Sequence, residues 1–130
     1  VNIASTTALL GYHTSFAYGA CKGAIRTMTS HAAIHCQQLR YNIRVNCIFP
    51  SVIQTPLIEK LYEDAAAAAQ ARGVERPAPV PLEQQTPSPG RGEPMDVGYA
   101  VLFLASDEAK FINGAELRVD NGSVINPAAL

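Results

Sequence analysis

"NIRVNCIFP", residues 42–50, is the stretch that decides the fold. Its Val, Ile and Phe make a short apolar run of strand length, and Pro50 ends it, because proline has no N–H to give a ladder. Before it, residues from about Ser15 to Arg40 contain no proline and place their glycines, Gly19 and Gly23, near the start, a pattern that predicts one long helix buried along one side. After it, "LIEKLYEDAAAAAQA", 57–71, is alanine-rich with high helix propensity, and Gly73 is its expected stop.

Working outward, "VNIAS", 1–5, reads as a strand, and "PMDVGYAVLFLASDEAKF", 94–111, reads as a helix. That helix opens with a proline and an acid in its first turn and turns Val97, Val101, Leu102 and Leu104 or Ala105 to one face. "GAELRVDNG", 114–122, closes the chain as a third short strand followed by a turn. Strands alternating with helices predict an α/β fold with a parallel sheet. Three strands and three helices do not cover both faces and both edges of such a sheet, so more of it is expected from sequence upstream or from another chain. The opening on Val1, already in a strand, points the same way.

Ten basic and eleven acidic side chains nearly balance over 130 residues. No basic excess marks a nucleic-acid partner. There is no apolar run of roughly 18–20 residues to span a bilayer and no charged start leading into a cleavable apolar segment, so a cytoplasmic protein without a membrane partner is expected. Cys21, Cys36 and Cys47 are an odd, widely spaced set and are read as small buried residues. His31 and His35 lie one helical turn apart without a third ligand at metal spacing, so no metal site is expected. The proline-rich stretch between Arg72 and Pro94 reads as a surface excursion, with a lid as the alternative.

The chemistry sits in "SFAYGACKGAIRTMTSH", 15–31. Side chains four apart stack on one helix face, so Tyr18 and Lys22 are neighbours. A phenol ordinarily titrates near pKa ~10, and a cation beside it favours the phenolate, which makes such a pair a general acid/base. The pair alone is a weak signal, because most such spacings are solvated neighbours. Ser5 strengthens it by lying at the C-terminal end of the first strand, where open α/β sheets bind ligands, and "FPSVIQTP" leaves the second strand on the same rim.

With these residues in view, the chain resembles the short-chain dehydrogenase/reductase family, over nearly all of its length, as that family's C-terminal half. The resemblance is carried by "NIAS" with Ser5 thirteen residues before Tyr18, by "YGACK", by "IRVNCIFPSVIQTPL", by "GRGEPMDVGYAVLFLASDEAKFINGAEL" and by "VDNG". It implies the C-terminal catalytic half, 1–130, of one Rossmann-like doubly wound parallel sheet with helices on both faces. It also implies a substrate-loop insertion at 57–93, and NAD or NADP as cofactor. Tyr18 would exchange a proton with the substrate oxygen, Lys22 would assist it and hold the cofactor ribose, and Ser5 would hydrogen-bond that oxygen. Ile53 and Thr55 would hold the nicotinamide carboxamide, in a loop shaped by Pro50 and Ser51. The substrate would be a small alcohol or ketone, nearer to those of the hydroxysteroid and secondary-alcohol dehydrogenases than to those of 3-oxoacyl-carrier-protein reductases. A homodimer or homotetramer is implied, for which the small and apolar residues along Ala24 to Cys36 are suited.

Three departures from the family pattern bear on this reading. Ser51 stands where a glycine is usual, Asn121 replaces the first glycine of the usual ending, and Cys21 stands where serine is common. The Gly-rich pyrophosphate turn and the relay asparagine have no counterpart among these residues, so the 130-residue chain alone is expected neither to bind cofactor tightly nor to turn over. The alternative is a non-catalytic truncated relative that acts by pairing. Arg44 and Asn46 are expected to anchor structure, while Tyr12, His13 and Phe16 are candidates for either the cleft or the surface.

Overall fold

A computed structural model describes residues 1–12, 15–74 and 91–125. The elements run β1 (Asn2–Ile3), α1 (Phe16–Gln38), β2 (Cys47–Pro50), α2 (Pro56–Ala71), α3 (Pro94–Ala105) and β3 (Glu116–Val119), with 3-10 turns at Thr6–Ala8 and Asp107–Ala109. The three strands form one parallel sheet in the order β1-β2-β3, with Ile3 opposite Ile48 and Ile48 opposite Leu117.

β2 is the centre of the core. Successive strand residues point to opposite faces, so Cys47 and Phe49 pack with Ala4, Ala8, Leu9 and Ile25 beneath α1. Ile48 packs on the other face with Leu104, Ala109, Val97, Val101 and Leu117 beneath α3. A strand buried on both faces is apolar throughout, and that is why "CIFP" reads as a run without alternation.

The strand is shorter than residues 42–50. Its upstream part is held by side chains instead. The Arg44 guanidinium donates to the carbonyls of Leu104, Ser106 and Ile112, and Asn46 donates to Ile112 O and accepts from Ala115 N. These bonds fasten the entry of β2 to the exits of α3 and the start of β3, as the expected anchoring role requires.

α1 is fixed to β1 by Thr29, whose Oγ1 accepts from Asn2 Nδ2 at 3.0 Å while donating to Ile25 O at 2.8 Å. Arg26 pairs with Glu116 of β3, and that hydrogen bond raises its guanidinium pKa above the ordinary value against a smaller opposing effect of burial. Only Thr29 and Ala33 of α1 are buried, so the helix is less covered than its sequence suggests. Cys47 is buried, but Cys36 is only half-buried and Cys21 is exposed, which corrects the reading of all three as core residues. On α3, Leu104 points inward while Leu102 is exposed and Ala105 is not covered, because the inner ridge follows Val97, Val101 and Leu104.

The ends of the helices follow backbone chemistry. α2 stops in a Schellman motif, with Val74 N donating to Ala69 O, Gly73 N to Gln70 O, and Gly73 at φ +67°. α1 stops the same way through Tyr41 N to Cys36 O and Arg40 N to Gln37 O, but there the left-handed residue is Arg40, at φ +56°. The expected insertion, 57–93, starts as α2, and its residues 75–90 lie outside the described ones. No helix of the described residues is long and apolar enough to cross a membrane.

Candidate active site

The first corner of the site is the C-terminal end of β1. Ser5 is buried there, and its Oγ accepts from Thr7 N at 3.2 Å, which caps the turn Thr6–Ala8. A hydroxyl that accepts one bond still has a hydrogen to donate. The N-terminus of α1 comes close to this turn: a Cβ added at Gly19 would stand 3.3 Å from Thr7 O. The glycine beside Tyr18 thus permits the approach that brings the phenol's helix to the end of β1.

Tyr18 lies in the first turn of α1 and is half exposed. The Lys22 ammonium stands 5.6 Å from the centroid of its ring and donates to Ile3 O at 3.0 Å. Asn2 and Ala4 turn their amides towards β2, so Ile3 turns its carbonyl to the outer edge of β1, where Lys22 meets it. One of three ammonium hydrogens is used in that bond. The helix N-terminus and the ammonium together place positive potential around the phenol.

The second corner is the loop that leaves β2. Ser51 N donates to Val119 O at 3.1 Å, and the buried Ser123 donates its hydroxyl to Ser51 Oγ at 3.1 Å. Ser51 does not adopt a positive φ, so serine fits where glycine was expected. Asn121 does, at φ +46°, in keeping with the tolerance of asparagine for the left-handed region. Ile53 forms a parallel bridge with Gly92 through Gly92 N to Val52 O at 2.9 Å and Gln54 N to Gly92 O at 2.8 Å. In such a bridge the N–H and C=O of Ile53 itself face the opposite side. Thr55 caps α2, its Oγ1 accepting from Ile58 N at 3.3 Å, and keeps its own hydrogen.

Ser5, Tyr18 and Lys22 therefore share the β1–α1 corner, and Pro50, Ser51, Ile53 and Thr55 share the β2 exit. β1 and β2 are parallel neighbours, so both corners lie on one rim of the sheet. Tyr12 is half-buried, Phe16 is exposed, and His13 lies outside the described residues. The contacts that no sequence pattern announced are those of Ser123 with Ser51 and of Arg91 with the loop. Arg91 Nη1 donates to Gln54 Oε1 at 2.8 Å, and its guanidinium lies 4.6 Å from the Tyr62 ring centroid. The stretch that holds Arg91 was read as a surface excursion, and nothing in its residues pointed to these contacts.

A parallel α/β sheet with polar groups gathered at the carboxyl ends of its strands is the class of fold that binds ligands on that rim. A family model described as enoyl-(acyl carrier protein) reductase matches residues 1–124. The chain belongs to the short-chain dehydrogenase/reductase family, and its sheet is the C-terminal half of a Rossmann-like doubly wound one. It is 38% identical over 122 residues to an NADP-dependent (R)-specific alcohol dehydrogenase of Lentilactobacillus kefiri, covering 94% of this chain and 44% of the relative. It is 40% identical over 126 residues to a cyclopentanol dehydrogenase of Comamonas sp. (strain NCIMB 9872), covering 97% of this chain and 45% of the relative. Among solved structures it is similar to 4-hydroxyisoleucine dehydrogenase complexed with NADH, at a TM-score of 0.71 and 30% identity, covering 96% of this chain and 46% of that one. The chain spans less than half the length of these relatives.

Proposed function

We propose that these residues are the catalytic half of an NAD(P)-dependent oxidoreductase that interconverts a small secondary alcohol and its ketone. The observation that carries the reading is the β1–α1 corner, where Tyr18, Lys22 and Ser5 come to the carboxyl end of β1. The relatives named for (R)-specific alcohol dehydrogenase and cyclopentanol dehydrogenase activity support the substrate class, and the NADP and NADH in the names above support the cofactor.

The residues present fit a nicotinamide cofactor. The carboxamide of such a group has both a donor and an acceptor, and Ile53 offers an N–H and a C=O turned away from Gly92. The remaining hydrogen of Thr55 adds a donor in the same loop, and the remaining hydrogens of Lys22 suit ribose hydroxyls. When bound, the cofactor supplies or accepts the hydride.

The protein's own part is position and proton transfer. Ser5 donates a hydrogen bond to the substrate oxygen. Tyr18 gives that oxygen a proton in reduction and takes one in oxidation, and Lys22 stabilises the phenolate so formed. Because Lys22 is tied to Ile3 O, its charge is held near Tyr18 and near the end of β1, two residues before Ser5.

Deuterium tracing tests the reading. The complete native protein, given dihydronicotinamide cofactor with deuterium at both C4 positions and a cyclic ketone, is expected to yield an alcohol with one deuterium on the carbinol carbon. Alcohol without that label, or none at all with either cofactor, would contradict it.

A further inference from the structure

β3 ends in a turn that brings the chain back to the exit of β2. Asn121 at φ +46° and Gly122 at φ +80° are both left-handed, and Ser123 N donates to Asp120 O at 2.9 Å across them. The Asp120 carboxylate holds this turn together, its Oδ1 accepting from Gly122 N at 3.1 Å and its Oδ2 from Val124 N at 3.0 Å. Both neighbours of Ser123 are thereby pinned, and Ser123 itself is 5% exposed. Its hydroxyl donates to Ser51 Oγ at 3.1 Å, the shorter of its two contacts, with Asp120 Oδ2 at 3.4 Å. A glycine at position 51, usual in the family, has no hydroxyl to accept that bond, so the tie belongs to this chain. Two residues further on, the same loop is tied by the Ile53–Gly92 bridge, whose bonds run through Val52 O and Gln54 N. The N–H and C=O of Ile53 are thus carried by a backbone clamped on either side.

From this we propose that Ser123 is a positioning residue: through Ser51 it sets the backbone of the 51–55 loop, and with it the place of the Ile53 groups that meet the nicotinamide carboxamide. The cofactor half of this inference rests on the dehydrogenase reading above; the brace itself does not. A loop that spends only part of its time in the binding geometry lowers cofactor affinity by that fraction, which is how a bond outside the cofactor's reach alters its binding.

The test uses the complete native protein and two readouts, amide exchange at Ser51 and Gln54 and the affinity for NADH and NADPH titrated by fluorescence. In Ser123→Ala both amides should exchange about fivefold faster, the effect of one neutral hydrogen bond, while α1 stays near wild type. The cofactor dissociation constant should rise by about the same factor, with kcat at saturating cofactor little changed. Ser51→Ala should match it, and the double variant should be no worse than either, because all three lose the same bond. A serine that served stability alone would lower the urea midpoint and leave cofactor affinity where it was. Unchanged exchange at Ser51 and Gln54 would overturn the brace, faster exchange with unchanged affinity would overturn its cofactor role, and losses that add in the double variant would overturn the coupling through Ser51. If Ser123→Ala loosens the whole molecule, Ser51→Ala decides, because it removes the bond from the less buried partner: unchanged exchange there would overturn the proposal. A wild-type protein that binds neither cofactor would refute the dehydrogenase reading, whereas the exchange rates still judge the brace.

Discussion

Arg44 does at the level of one residue what the apolar run around it does not. Its guanidinium donates three hydrogen bonds to carbonyls at 3.0, 3.2 and 3.1 Å, one in the last turn of α3 and two on the segment between α3 and β3. Replacing it with methionine keeps much of the volume and leaves those carbonyls to find other donors, so Arg44→Met should lower unfolding stability by about 2 kcal/mol in urea titrations. A loss below a few tenths would mean that water replaces the guanidinium. That Arg44 and Asn46 anchor structure was legible from "IRVN", whereas their partners were not, because those lie some 60 residues on and only the fold brings them near. Tyr18 and Lys22 were legible for the opposite reason: helical spacing makes them neighbours before any tertiary contact forms. Cys21 was misread because its small apolar character says nothing about which side of α1 it occupies.

At the level of elements, helix stops separate what composition decides from what context decides. Gly73 ends α2 in the left-handed region, where glycine pays no Cβ penalty, and its place was evident in the sequence. Arg40 ends α1 in the same geometry without that advantage, at φ +56°. Arg40→Gly should therefore raise stability by about 0.5–1 kcal/mol, read as a shift of the urea midpoint without a change of slope. A decrease would mean that the arginine side chain makes a contact worth more than the strain. The strands were placed correctly but drawn too long. β1 spans Asn2–Ile3, because Ser5 already caps the turn that follows, and β2 spans Cys47–Pro50, because the Asn46 side chain takes the amide of Ala115 at the strand entry. Likewise α1 is helical over the expected range yet buries only Thr29 and Ala33, because helical periodicity indicates a face but not whether anything covers it.

At the level of the whole molecule, two packed faces of one central strand bring β1, β2 and the start of α1 to a common rim, and the candidate chemistry lies along that rim. Sequence order alone revealed this because parallel strands joined through helices put all their carboxyl ends on one side. It did not reveal the attachment of α2, which depends on Arg91 meeting Tyr62 and Gln54 in space. Large apolar side chains remain exposed outside the rim, among them Phe111, Leu102, Met28 and Ile34.

The central claim is that the phenol of Tyr18 moves the proton. Its most direct measurement is the oxidation rate of NADH and NADPH by a cyclic ketone in the complete native protein, wild type against Tyr18→Phe, with cofactor affinity titrated by fluorescence in both. The account predicts a fall in kcat of about 10²–10⁴-fold with cofactor affinity nearly unchanged. A variant that turns over at the wild-type rate would contradict it.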